Sequence, residues 1–169
     1  MQKKWFHKSA LLLVFIALTV MQGSSGYYDD YYSDYRAVYM DRTNLEQSVF
    51  YVETGKEMKN PGKIYFKYPY LFINEKYKGI HIFDNTNPEK PVNKGFIVAP
   101  GCLDMAVKDN IIYLDNAVDM VCFDLNDKKK EMKRITNVFP PLTAPDGYSQ
   151  YRTDGLIIVE WIKRNNNEQ

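Results

Sequence analysis

From Asn60 onward, apolar and polar positions alternate in short runs separated by turn residues. Lys63 to Lys67, Tyr70 to Glu75, Ile80 to Asp84 and Val92 to Val98 each read as a strand. Tyr68-Pro69, Lys76-Tyr77-Lys78-Gly79 and Asn85-Thr86-Asn87-Pro88 read as the turns between them. Gly79 is available for a positive φ, and the Asp84 or Asn85 side chain is placed to bond backbone N–H groups two residues on. The order then recurs. Leu103 to Lys108, Ile111 to Asn116, Met120 to Leu125 and Met132 to Phe139 are its strands, with turns at Asp109-Asn110 and Asn126-Asp127. The segment Tyr70 to Glu75 returns as Ile111 to Asn116 at an offset of 41, and Ile80 to Asp84 returns as Met120 to Asp124 at an offset of 40. One residue is lost in the intervening turn. A period near forty with two short apolar strands per unit fits propeller blades or a β-repeat array. On this alignment Ile82 and Phe83 match Cys122 and Phe123, and both rings are expected in equivalent core sites.

The loop Pro140 to Tyr148 holds three prolines and a glycine and reads as irregular. Asp154 to Trp161 then echoes Lys78 to Asp84, as one strand of a third unit or a closing strand. Upstream, Thr43-Asn44-Leu45-Glu46 fits a capping box and predicts a short helix over 44–49, running into the strand-like Val49-Phe50-Tyr51-Val52. The fold predicted is all-β: two propeller-like four-stranded repeat units, a partial third, and one short N-terminal helix. Its segments are a signal (1–26), a Tyr/Asp-rich tether (27–40), the helix and lead-in strand (41–59), unit one (60–101), unit two (102–139), and a Pro-rich loop with closing strand and polar tail (140–169).

The signal rests on three features. Lys3, Lys4 and Lys8 form a basic start, Ala10 to Val20 is apolar apart from Thr19, and Gln22 to Gly26 supplies small residues. As a helix the apolar run crosses only about 16 Å, against a hydrocarbon core of about 30 Å. The chain is therefore expected to be exported to the periplasm or cell envelope of a bacterium, with no integral span after processing. Ser24 and Gly26 suit cleavage between Gly26 and Tyr27. The tether, YYDDYYSDYR over 27–36, has no apolar face of either period.

Charge excludes one class of partner. The chain has 22 Lys and Arg against 21 Asp and Glu, and the signal removes three lysines and no acid, which leaves a net −2. Nucleic acid demands a basic face. Export would permit a disulfide between Cys102 and Cys122, but Cys122 sits in an apolar strand and Cys102 follows a Pro-Gly turn, so two separate half-buried thiols are expected. His81, the one histidine beyond the signal, is expected to face outward from its strand. Asp84, Asp104, Asp115, Asp119 and Asp124 stand at strand ends and turns, where hydrogen bonding to the turn backbone is reason enough for them. No catalytic, cofactor or metal site is assigned. Tyr68, Tyr70 and Tyr77 are the candidate ligand platform, since turns lie at sheet ends.

YLFINEKYKGIHIFDNTNPEKP resembles the LVIVD repeat, which runs from a strand through a Gly turn to an apolar strand ending in Asp, then an Asn/Ser-Pro turn. The chain is similar over 27–162 to LVIVD-repeat proteins of the bacterial cell envelope. The second unit departs from the pattern, with Asp127-Lys128-Lys129-Lys130 in place of the Asn-Pro turn. The resemblance implies propeller-like blades and no agreed activity. Many such proteins carry a lipid-attachment cysteine after the signal; this chain has Ser24-Ser25-Gly26 there, and no Cys before Cys102. The function expected is a non-catalytic envelope interaction or scaffold module with a protein partner or a second copy. A glycan- or small-ligand-binding module using aromatic turns is the alternative, and a carboxylate hydrolase the remote third.

Export is checked by intact mass. The exported chain should begin at Tyr27, or at Gly26 if cleavage follows Ser25. A membrane-embedded species retaining Met1 to Gly26 would defeat the reading.

Overall fold

The structure, a computed structural model, describes residues 33–127, 131–150 and 154–165, with backbone alone at Glu131 and Met132. The chain divides into two units, Met1–Tyr32 and Ser33–Gln169, and the described residues all belong to the second. The predicted signal, its cleavage point between Gly26 and Tyr27, and the start of the tether lie outside them.

The fold is all-β, with antiparallel strands in three sheets. A five-stranded sheet has the order β2 (Phe50–Val52), β6 (Val92–Val98), β5 (Gly79–Asp84), β4 (Tyr70–Glu75), β3 (Pro61–Lys67). A four-stranded sheet has the order β10 (Glu131–Ile135), β9 (Asp119–Asp124), β8 (Ile111–Asn116), β7 (Met105–Lys108). A ribbon pairs β1 (Tyr35–Met40) with β11 (Ile157–Lys163). One helix, α1 (Arg42–Glu46), joins β1 to β2.

The strands of the two larger sheets stand close to where alternation places them, and the turns explain why. In the β4–β5 turn Tyr77 (φ 64°) and Gly79 (φ 139°) both have positive φ. A Cβ at Gly79 would sit 1.9 Å from the Ile97 carbonyl oxygen on β6, so only glycine fits that approach. Beyond β5, the Asp84 carboxylate accepts from the Thr86 N–H at 3.0 Å, as the turn chemistry predicts.

Two local expectations are corrected, and one choice is settled. Residues 35–40, expected in the tether, form β1. Its partner β11 comes from the far end of the chain, so no local pattern marks it. The helix runs over Arg42–Glu46 and not 44–49. Its N-cap is Asp41, whose carboxylate accepts from the Asn44 N–H at 2.8 Å, not Thr43. An Asp two residues earlier outcompetes the threonine because both are good caps and the chain enters from a strand. Of the two readings of Asp154 to Trp161, the structure has a strand outside both large sheets: β11, from Ile157, pairs with β1.

The core is a layer between the two larger sheets. Phe72, Ile80, Ile82 and Ile97 turn inward from the five-stranded sheet, and Ile112, Leu114, Val121 and Phe123 from the four-stranded one. Tyr51 of β2 meets Phe123 across the layer with ring centroids 6.5 Å apart. Phe123 is fully buried, but Phe83 is not in this layer. The alignment puts these two rings at one repeat position, yet they differ in environment. Ile82, not Phe83, faces the layer from β5, since neighbours on a strand point to opposite sides. The two sheets thus meet through opposite faces of the aligned strands.

The β1–β11 ribbon and α1 close one end of this layer rather than a sheet face. Leu45, Ala117, Val118 and Val159 form one buried cluster there, and Ala144, Ile158 and Trp161 another that includes Tyr77. A buried carboxylate ties this end together. Asp119 at the start of β9 accepts from Arg42 at 2.7 Å, Arg134 at 2.9 Å and the Asn137 N–H at 3.0 Å. Burial alone would raise its pKa; the Arg42, Asn137 and Arg134 donors outweigh that and hold it below the usual carboxylate range.

The difference between the two phenylalanines is measurable. Phe123→Ala should cost about 3–5 kcal/mol, and half-buried Phe83→Ala about 1–2 kcal/mol, by chemical denaturation. Equal losses would mean that the inner and outer faces of β5 are wrongly assigned.

Candidate functional site

The three tyrosines do not form one platform. Tyr68 lies in the β3–β4 turn, ahead of a cis peptide bond to Pro69, and is 70% exposed. Tyr70 starts β4 and packs partly against the inner layer. Tyr77 lies past the other end of β4, packed on the cluster around Trp161. At about 3.3 Å per strand residue, Tyr70 and Tyr77 stand on the order of 20 Å apart. Tyr68 and Tyr70 share one end of the sheet, and Tyr77 belongs to the other. The strand Tyr70 to Glu75 between the two turns already puts Tyr68 and Tyr77 at opposite ends of β4, which rules out one shared platform.

What the structure does gather is apolar surface on the sheet faces that look away from the core. On the five-stranded sheet, Ile64 is 65% and Phe66 57% exposed. Ile64 pairs with Ile73 and Phe66 with Leu71, so all four side chains share one face, with half-buried Phe83 beside them. On the four-stranded sheet the corresponding outer face carries Ala106, Tyr113, Met120 and Cys122. The segment Phe139 to Thr143 runs along that face and leaves a pocket of about 500 Å³, with Ala106, Tyr113 and Met120 on one side and Phe139, Pro141 and Leu142 on the other. A backbone hydrogen bond from Phe139 to the Val118 carbonyl (3.0 Å) and one from the Trp161 indole to the Leu142 carbonyl (3.0 Å) hold the segment in place. Sequence alternation marked these strands as apolar on both sides, but it gave no means of telling the inner face from the outer one.

The strand-end carboxylates have structural partners. Asp104 and Asp115 both border the pocket. Asp115 accepts the Leu103 and Asp104 N–H groups, each at 2.9 Å, and so pins the start of the unit. Burial raises the Asp115 pKa, and those N–H groups and the Cys102 thiol pull it back only in part. Asp104 is exposed and ion-paired with Lys63. They are therefore not a buried acid–base pair. Asp84 and Asp124 each accept from an N–H two residues on, at 3.0 and 2.8 Å. Cys102 is buried in the inner layer and Cys122 is partly exposed on the outer face, both as free thiols. Burial, the first cause, together with the nearby Asp115 carboxylate, pushes the Cys102 thiol well up, which makes it a poor nucleophile. No group of three or more His, Cys, Asp or Glu side chains suited to a metal ion occurs among the described residues. Nor is any helix among them long and apolar enough to cross a membrane.

His81 departs from expectation. It leaves the inner layer, as an outward residue should, yet it is fully buried. The Phe96 ring packs edge-on against it at 4.6 Å, and Lys56 lies over that ring at 4.8 Å from its centroid. Its Nε2 is 3.4 Å from the Glu75 carboxylate, which also accepts the Asn60 N–H at 2.6 Å. Burial lowers the imidazole pKa below its ordinary value; the Glu75 hydrogen bond and charge oppose this, and Lys56 adds to it. With no nucleophile beside it, this pair locks the loop before β3 onto β4 and β5.

No protein-family model, no curated protein and no solved structure matches this chain.

The buried imidazole predicts a pH dependence. The unfolded chain takes up a proton at His81 near pH 6.5 and the folded chain resists it, so the unfolded state binds more protons. Stability should fall as pH drops from about 7.5 to about 5.5. His81→Gln should flatten that slope in denaturation curves. An unchanged slope would show that His81 titrates freely.

Proposed function

We propose that the chain is a non-catalytic exported protein that serves the cell envelope as an interaction or scaffold module. One observation carries the reading: apolar side chains stand on the outer faces of both large sheets, with Ile64 and Phe66 more than half exposed on one and an apolar pocket on the other. Contiguous exposed apolar surface of this kind marks interaction sites in soluble proteins. The strand-end carboxylates have structural partners, which leaves a hydrolytic reading without a pair of convergent acids. The likeness to LVIVD-repeat envelope proteins adds support. So does the repeat itself, which we read as two copies of one propeller-like unit with a partial third. The strand registers fit that reading: Ile64 pairs with Ile73 and Ile73 with His81, as Met105 pairs with Leu114 and Leu114 with Val121. The glycan-binding alternative keeps only exposed Tyr68 as an available ring, since Tyr70 and Tyr77 are committed to packing.

A photo-crosslinking residue placed at Phe66 or at Tyr113 tests the reading in expressing cells. Adducts from these positions, and none from Asn87 in the exposed β5–β6 turn, are expected. An exported, folded chain that forms no adduct at either face would overturn the proposal.

A further inference from the structure

We propose that the partner on these faces is a second copy of the chain, bound head to tail. The outer face of one copy's five-stranded sheet seats on the outer face of the next copy's four-stranded sheet. This rests on reading the chain as an interaction module and names the occupant of its two surfaces.

The argument begins with the inner layer. It joins one face of the first unit to the opposite face of the second, which is how serially stacked repeats meet. Each unit therefore owns both kinds of face, and the molecule uses one of each. The two left over are the missing halves of the same contact. The residues agree when the two units are aligned at the sequence offset of 41. Met105 and Val107 enter the layer from the second unit, and their counterparts are the exposed Ile64 and Phe66. Ile112 and Leu114 are buried in the layer, and their counterparts are Leu71 and Ile73 on the outer face. In the other direction, inward-facing Tyr65, Tyr70 and Phe72 correspond to outward-facing Ala106, Ile111 and Tyr113.

Polar contacts at the rim follow the same rule. Lys63 of the first unit pairs with Asp104 of the second, and these two residues occupy one repeat position. Stacking the next copy brings Asp104 opposite another Lys63, again with opposite charge. Lys67 Nζ donates to the main-chain oxygen of Asp109. Its counterpart Lys108 then faces the main-chain oxygen of Tyr68, the counterpart of Asp109.

Volume is complementary as well. Inside the molecule a large Tyr65 lies against small Val107, with the Tyr65 hydroxyl donating to the Val107 carbonyl at 3.1 Å. In the stack, small exposed Ala106 at the pocket floor meets the larger Phe66 of the next copy. The segment walling the pocket packs at the end of the face near the β8–β9 turn, and Ala106 stays exposed beside it. Gly101 donates to the Tyr77 carbonyl at 3.0 Å as the chain leaves the first unit, and Phe139 donates to the Val118 carbonyl at 3.0 Å as it leaves the second. The wall thus lies where the crossover between units lies, at the foot of the stacking face. A contact between unlike faces leaves one of each free at the ends, so association continues into a ring or a filament.

The test is sedimentation of the chain as recovered from expressing cells, at micromolar concentration. Wild type should form species larger than a monomer. Phe66→Glu blocks one face and Ala106→Glu the other, and each alone should weaken association at least about tenfold. Mixed together, they should form a one-to-one dimer and stop there, because one intact face remains on each. Ile64→Lys with Ile111→Lys repeats the test if either glutamate variant has an altered denaturation midpoint. A wild type that stays monomeric would overturn the proposal, as would a mixture that stays monomeric or a single variant that associates like wild type. Adducts from Phe66 to a different protein in the crosslinking experiment would overturn it while leaving the module reading standing.

Discussion

Phe72, Ile80 and Ile82 leave water only because Leu114, Val121 and Phe123 close over them. Each such side chain contributes about 1.5–3 kcal/mol on burial, while an isolated hairpin is marginal in water. Neither large sheet has a second apolar layer of its own among the described residues. The first unit is therefore held by the second, and every other element is placed by the need to keep this layer shut. β2 extends the first sheet far enough to bring Tyr51 over Phe123. The crossover after β6 contributes Ala99 and Cys102 to the same layer, both fully buried.

The polar groups buried around that layer act as fasteners. Asn74 donates to the Gly79 and Cys102 carbonyls at 3.1 and 3.2 Å, which ties the β4–β5 turn to the crossover. Asn116 donates to the Pro100 carbonyl at 2.7 Å and ties β8 to the same crossover. Asp119 gathers Arg42 and Arg134, so the helix and β10 converge on one buried carboxylate. Unpaired, each of these groups would cost more than its bond returns. They fix how the units meet rather than add much net stability.

Much of the fold was legible because its signals are local. Tyr70 to Glu75 and Ile111 to Asn116 alternate cleanly, and Gly79 marks a turn that only glycine fits. β1 was missed because what makes Tyr35–Met40 a strand is β11, at the other end of the chain. The cap was misplaced because Asp41 and Thr43 are both good caps and only the incoming β1 decides between them. His81 does point away from the layer, as read, and is buried there by Phe96 and the loop carrying Lys56; Phe83 was misjudged for another reason. Both faces of β5 are apolar enough to be core, so a period of two gives the alternation but not which phase points inward. For the tyrosines the signal was there: the strand Tyr70 to Glu75 separates the turn of Tyr68 from that of Tyr77, so they could not form one platform.

That two-sided apolarity is itself informative when set beside the strand edges. Edge strands are where stray chains pair, and here they are poor templates. β2 is three residues long, β3 starts with Pro61 and carries Lys63 and Lys67, and β7 is four residues ending in Lys108. β3 and β7 also engage each other through Tyr65 and Lys67. The exposed apolar surface lies instead on the faces, at Ile64 and Phe66 and around Tyr113 and Met120. Ile64 and Phe66 stay more than half exposed, and the segment Phe139 to Thr143 covers Tyr113 and Met120 only in part. Exposed apolar side chains on broad faces, next to short and charged edges, leave the faces rather than the edges as the surface open to contact.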